Sequence, residues 1–145
     1  MKNIPFFSCM LTALSLVASL FSYDGFAYVT NSSVGTVNPI NLNNNTPLAP
    51  IVTGESPYGI AITKDAKTVY VTDPELGLVI PIRVATNTIR NTISIGGSPL
   101  AIALSTSRKV KAYVVLSGEN KVAILPLKRK GPRVSLPVGE SPSLM

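Results

Sequence analysis

The segment AYVTN at residues 27–31 returns as VYVTD at 69–73 and again as AYVVL at 112–116, starting 42 and then 43 residues apart. A second marker keeps step with it: GESPYG, GGSPLA and GESPSL place prolines at Pro57, Pro99 and Pro142. Self-similarity at such a period marks a chain built from one supersecondary unit used several times. The one added residue falls between Pro99 and Ala112, where STSRKVK stands in place of TKDAKT and a turn absorbs the insertion.

The most complete unit, residues 56–96, predicts four short strands. YGIAIT (58–63) is the first, and it ends at Lys64-Asp65-Ala66-Lys67, where the Asp65 side chain can close a turn on its own backbone. Val69, Tyr70 and Val71 form the second, which stops at Asp73-Pro74 because proline has no N–H and restrains the residue before it. Residues 78–84 form the third, in which Pro81 signals a bulge or an edge. After a turn at 85–88, Ile89, Ile93 and Ile95 carry the fourth into Gly96-Gly97-Ser98-Pro99. Strand formers are frequent, and no stretch beyond residue 23 keeps a helical period over two turns, so the chain is expected to be all-β. Four antiparallel strands per repeat is the count for a propeller blade. A β-sandwich would not repeat a signature at this interval, and a parallel β-helix has shorter coils.

AYVTN, the following SSVGTVNPI, and above all GESPYGIAITKDAKTVYVTD resemble the YVTN family of β-propeller repeats, found in surface-layer and other exported proteins of bacteria and archaea. The likeness spans about residues 27–142. It implies a propeller fold and an exported location, and names no ligand. The third copy departs from the pattern, with VVL for the VTN core and KRKGPR for a polar turn. Blades are expected at about 27–53, 56–95 and 98–138, the first with three strands, and 139–145 opens another unit. Propellers use about four to eight blades. The arc is therefore expected to pair with a second copy, or to be a piece of a longer product.

The first 26 residues carry none of the repeat. Lys2 precedes an uncharged apolar run from Ile4 to Phe21, the pattern of a secretory signal peptide, with Gly25 and Ala27 as small residues at a cleavage site. An uncleaved membrane anchor is the alternative, since roughly 18 apolar residues reach across a bilayer. Cys9, the one cysteine, lies within this run; FFSC lacks the aliphatic residue expected ahead of an acylated lipoprotein cysteine. A processed chain would have no thiol for a disulfide, a nucleophile or a metal site.

The chain has no histidine, which removes the usual base for a serine or cysteine nucleophile and the commonest metal ligand. Carboxylates remain at Glu55, Asp65, Asp73, Glu75, Glu119 and Glu140. A pair could serve glycoside hydrolysis and a cluster could hold calcium, but each has a structural address. Asp65 and Glu119 sit in hairpin turns, Asp73 and Glu75 flank a proline, and Glu55 and Glu140 recur at one repeat position. Propeller lactonases share the expected fold, but too few acidic residues are present for their calcium-centred type of site. No catalytic residue, metal or cofactor is expected. Tyr58, Tyr70 and Tyr113 are read as packing residues with hydrogen-bonded hydroxyls.

Net charge is +6, and it is uneven: ten of the 13 Lys and Arg residues lie between Arg83 and Arg133, against Glu119 alone. The densest cluster, Lys128, Arg129, Lys130 and Arg133, falls where other repeats have Asn43-Asn44-Asn45 and Ala85-Thr86-Asn87, at a hairpin tip. It is either a solvated turn or an anion-binding site for envelope lipid or acidic glycan. Nucleic acid is not expected, because few aromatics accompany the charges. The leading expectation is a non-enzymatic exported module of the cell envelope that binds or builds surface structure. The alternatives are a propeller of hydrolase or lactonase ancestry and a remnant without independent function.

Overall fold

The structure is a computed structural model that describes residues 25–106, 110–127 and 133–143. Three antiparallel sheets follow one another along the chain. The first contains β1 (Phe26–Asn31), β2 (Thr36–Asn41), β3 (Thr46–Pro47) and β4 (Ile51–Val52). The second contains β5 (Ile60–Ile62), β6 (Thr68–Asp73), β7 (Leu78–Arg83), β8 (Thr88–Ile89) and β9 (Ile93–Ser94). The third contains β10 (Pro99–Leu104), β11 (Lys111–Leu116), β12 (Lys121–Pro126) and β13 (Val134–Pro137). Apart from β4 and β9, which pair with β2 and β7, each strand pairs with its sequence neighbour within a sheet, and the chain is all-β with four strand positions in blades 2 and 3. In blade 1, β3 and β4 both pair with β2, leaving three strand positions, as expected. The expected signal helix lies outside the described residues.

Proline decides where the outer strand of a blade breaks. Pro39 in β2 and Pro81 in β7 are 42 residues apart, and each turns its carbonyl outward to accept from Leu48 N–H and Arg90 N–H, both at 2.8 Å. An amide on the same side would donate to the outer strand, but proline has none. The ladder is lost there, and the outer strand splits into β3 and β4 or into β8 and β9. At the corresponding place blade 3 has Ile124, which pairs directly with Val134 at the start of β13. Pro81 was expected to mark a bulge or an edge in its own strand; instead β7 is continuous and its neighbour carries the defect.

Turns are set locally. Asp65 Oδ1 accepts from Thr63 Oγ1 at 2.6 Å and from Lys67 N–H at 3.3 Å, closing the β5–β6 turn as the sequence predicts. The β1–β2 and β6–β7 hairpins place Gly35 and Gly77 at φ of 66° and 64°, where glycine costs least, and blade 3 fills the position with Asn120 at 51°. The inserted residue lies where the repeat comparison puts it. Ile62 pairs with Val69 across the β5–β6 turn, whereas Leu104 pairs with Ala112 across the longer β10–β11 turn.

Alternation within each strand sends successive side chains to different neighbours. From blade 2, Val69, Val71, Ile80 and Ile82 pack with Tyr28 and Val37 of blade 1. From the opposite face, Tyr70 and Val79 pack with Ala112, Val114, Leu116, Ala123 and Leu125 of blade 3. Blade 2 is covered on both faces, so β6 and β7 are almost continuously buried. Blade 3 is covered on one face, and β11 alternates buried and exposed. Its other face leaves Tyr113 39%, Val134 48% and Leu136 49% exposed. Tyr113 therefore departs from the packing role expected of it: no blade among the described residues covers it.

The threonine of the repeat signature bonds one blade to the next. Thr30 Oγ1 donates to Tyr58 C=O at 3.0 Å, and 42 residues later Thr72 Oγ1 donates to Leu100 C=O at 2.9 Å. Both acceptors directly follow the repeat proline. Thr72 also accepts from Gly59 N–H at 2.8 Å and is fully buried. Blades 2 and 3 approach closely here because Gly59 has no Cβ, which would collide with the Leu100 carbonyl and sit 2.9 Å from Thr72 Oγ1. In the third copy the position is Val115, which has no hydroxyl to donate.

Candidate functional site

Of the basic cluster singled out from sequence, Lys128, Arg129 and Lys130 lie outside the described residues. Arg133 is described, and its Nη1 donates to the Ile95 carbonyl at 2.8 Å, so it ties the start of β13 to the end of blade 2. Part of its hydrogen-bonding capacity is thus spent within the protein.

The carboxylates do not converge, and among the described residues no three Asp or Glu side chains come together as a metal site would require. Glu119 pairs with Lys121 at 3.1 Å on the surface, in a single 3-10 turn at Ser117–Glu119. Asp73 is the exception to exposure: it is fully buried. Its Oδ2 accepts from Glu55 N–H at 2.9 Å and Ser56 N–H at 3.1 Å, and its Oδ1 from Leu76 N–H at 3.0 Å. The last residue of the VYVTD signature therefore clamps the linker that enters its own blade. At Glu55 the structural contribution comes from the backbone amide, and the side chain is exposed. Blade 3 has Leu116 here and holds its linker differently, with Ser117 and Gly118 amides donating to the Ser98 and Gly97 carbonyls.

The tyrosines of the signature show a contrast between blade junctions. Tyr28 is buried between blades 1 and 2, and its hydroxyl donates to Asn87 Oδ1 at 2.7 Å. Burial pushes its pKa up to about 12. Tyr70 occupies the same repeat position between blades 2 and 3 and is 9% exposed, but its hydroxyl has no hydrogen-bond partner among the described residues. The hydrogen-bonded hydroxyl expected of Tyr70 is not found there; Tyr28, at the same repeat position, has one. The place that corresponds to Asn87 falls in the basic turn, outside the described residues.

Tyr70 instead borders a cleft of about 530 Å³ between blades 2 and 3, with Lys64, Lys67, Arg90, Val110 and Leu127 among its walls. A shallower arm of about 390 Å³ continues past Tyr70 and Arg90 along Pro81 and Ile93. Burial raises the Tyr70 pKa, the nearby Arg90 guanidinium opposes the shift, and Asp65 adds to it. Lys64 and Lys67 come from the β5–β6 turn. Arg90 sits in the break between β8 and β9 that Pro81 creates, where blade 1 has Leu48. The sequence places Lys64 and Lys67 in one turn and does not bring Arg90 to them. The one available signal is that the position filled by Leu48 in the first copy becomes arginine in the later two, at Arg90 and Arg133.

No protein-family model matches the chain, and no curated protein matches it. Solved structures do. Hydrazine synthase of Kuenenia stuttgartiensis aligns with a TM-score of 0.73 at 22% identity, covering 80% of this chain and 33% of that one. A catalytically inactive virginiamycin B lyase from Staphylococcus aureus, solved with quinupristin, aligns with a TM-score of 0.66 at 15% identity, covering 83% and 42%. The β-propeller domain of Myceliophteria thermophila Cps50 (Swd1) aligns with a TM-score of 0.67 at 11% identity, covering 78% and 36%. The chain thus spans between a third and just over two-fifths of these three structures. At these identities the likeness establishes the propeller fold alone, and the matched proteins include enzymes and non-enzymes.

Proposed function

We propose that this is an exported, non-enzymatic propeller module of the YVTN type, processed by removal of its first 26 or so residues and acting at the cell envelope through binding or surface assembly. One observation carries the non-enzymatic reading: Thr72 and Asp73, the polar residues of the signature, are buried and consumed in joining blades and clamping a linker. They are scaffold, and the remaining carboxylates stand apart from one another. On this reading the contact with the envelope is electrostatic and runs through Lys128, Arg129 and Lys130, with anionic lipid or acidic glycan as the partner.

Changing all three to serine is expected to weaken sedimentation of the protein with phosphatidylglycerol vesicles. Each basic residue near an anionic surface contributes about 1 kcal/mol, so the combined loss is about 3 kcal/mol at low salt. The difference shrinks at high salt, where exposed charges are screened. Equal binding by parent and variant reduces the turn to a solvated hairpin tip.

A specific observation favours assembly as well. The open face of blade 3 is apolar at Tyr113, Val134 and Leu136, and among the described residues β1 has no strand on the side where β5 and β10 lie in blades 2 and 3. A second copy supplying further blades would cover both. Light scattering on the eluting peak of a sizing column is expected to give at least twice the chain mass. A monodisperse monomer that unfolds cooperatively excludes this.

A further inference from the structure

We propose that the cleft between blades 2 and 3 is a binding site for a small oxyanion-bearing molecule, with Arg90 and the Tyr70 hydroxyl as its polar anchors. The site does not depend on the basic turn or on vesicle binding. Tyr70 lines the cleft, and its hydroxyl makes no hydrogen bond to any described residue, whereas Tyr28 at the equivalent junction is bonded to Asn87. No buried side-chain polar atom is left without a partner among the described residues, so this hydroxyl is open to solvent, and a ligand oxygen can take the place of water on it.

The charge at the site selects the ligand's sign. Lys64, Lys67 and Arg90 line the cleft against Asp65 alone, and none of the three cations is in an ion pair with a described residue. Guanidinium binds carboxylate and phosphate oxygens in a two-pronged geometry that lysine does not reproduce. Val110, Leu127 and Tyr70 also line the cleft, beside Ser105 and Thr106, so a compact body such as a sugar meets apolar and polar contacts there. A volume of about 530 Å³ falls within the range of small-molecule sites, about 300–1,000 Å³. A sugar acid fits this description, and a phosphate-bearing compound shares its anchoring chemistry.

Calorimetric titration of the full chain with D-glucuronate, inorganic phosphate and D-glucose tests the assignment. At least one of the two anions is expected to bind, and the one that does identifies carboxylate or phosphate as the preferred group. Glucose should bind about tenfold more weakly than that anion or not at all, because it lacks the charge. Arg90→Gln is expected to weaken the anion about tenfold, and Tyr70→Phe, which keeps the packed ring and removes only the hydroxyl, several-fold. Arg83→Gln, at an exposed arginine of the same blade outside the cleft, should leave binding unchanged. Absence of heat with both anions from a folded chain overturns the proposal. So does an equal loss in the Arg83 and Arg90 variants, which would reduce the effect to net charge.

Discussion

Asp73→Ala is expected to destabilise the protein by about 3 kcal/mol, because it strips the acceptor from three backbone amides at once. Those amides belong to Glu55, Ser56 and Leu76, at 2.9, 3.1 and 3.0 Å from the carboxylate. At roughly 2–4 °C per kcal/mol for a chain near this size, the thermal midpoint should fall by about 10 °C. Hydrogen exchange gives a more local check: the amides of Glu55, Ser56 and Leu76 should lose protection while those in β11 and β12 keep theirs. Asp73→Asn should be intermediate, since an amide retains one acceptor oxygen and turns a donor toward amides that also donate. A loss well below 1 kcal/mol for the alanine variant would mean that water replaces the carboxylate at the linker.

Thr72→Val preserves shape and removes only hydrogen bonding, and it is expected to cost about 2–4 kcal/mol. It leaves the Gly59 amide and the Leu100 carbonyl unsatisfied at a buried junction, each worth about 1–3 kcal/mol when orphaned. Thr72→Ser should restore most of the loss, because its hydroxyl can make both bonds. Thr30→Val should cost less than Thr72→Val, since Thr30 makes one such bond, to the Tyr58 carbonyl. Denaturant titration of the three variants ranks them. If Thr30→Val proves as costly as Thr72→Val, the threonines act through packing rather than through bonds between blades. Val115 at the third position supplies the natural comparison: a blade placed against that face receives no bond from this strand.

These two residues also mark where reading the chain stops being sufficient. The sequence by itself determined the repeat, the inserted residue between Leu104 and Ala112, and the turns, because each depends on residues close in the chain. Asp65 closes its own turn within two residues on either side, and Gly35 and Gly77 answer a local need for positive φ. What Pro81 does to the outer strand was half legible, since its missing N–H is a local fact but its effect falls on residues 88–94. Only the tertiary structure decided what Thr72 and Asp73 are for, because their partners lie 28 and 17 or 18 residues away, across a blade junction or a linker. It alone decided that Tyr28 and Tyr70, identical in repeat position, differ at their hydroxyls, and that Lys64, Lys67 and Arg90 share one cleft. The physical reason is common to all of these. A hydrogen bond or a cavity wall between blades forms only when separate sheets have docked, and docking depends on the faces of whole strands, which no short stretch of sequence encodes.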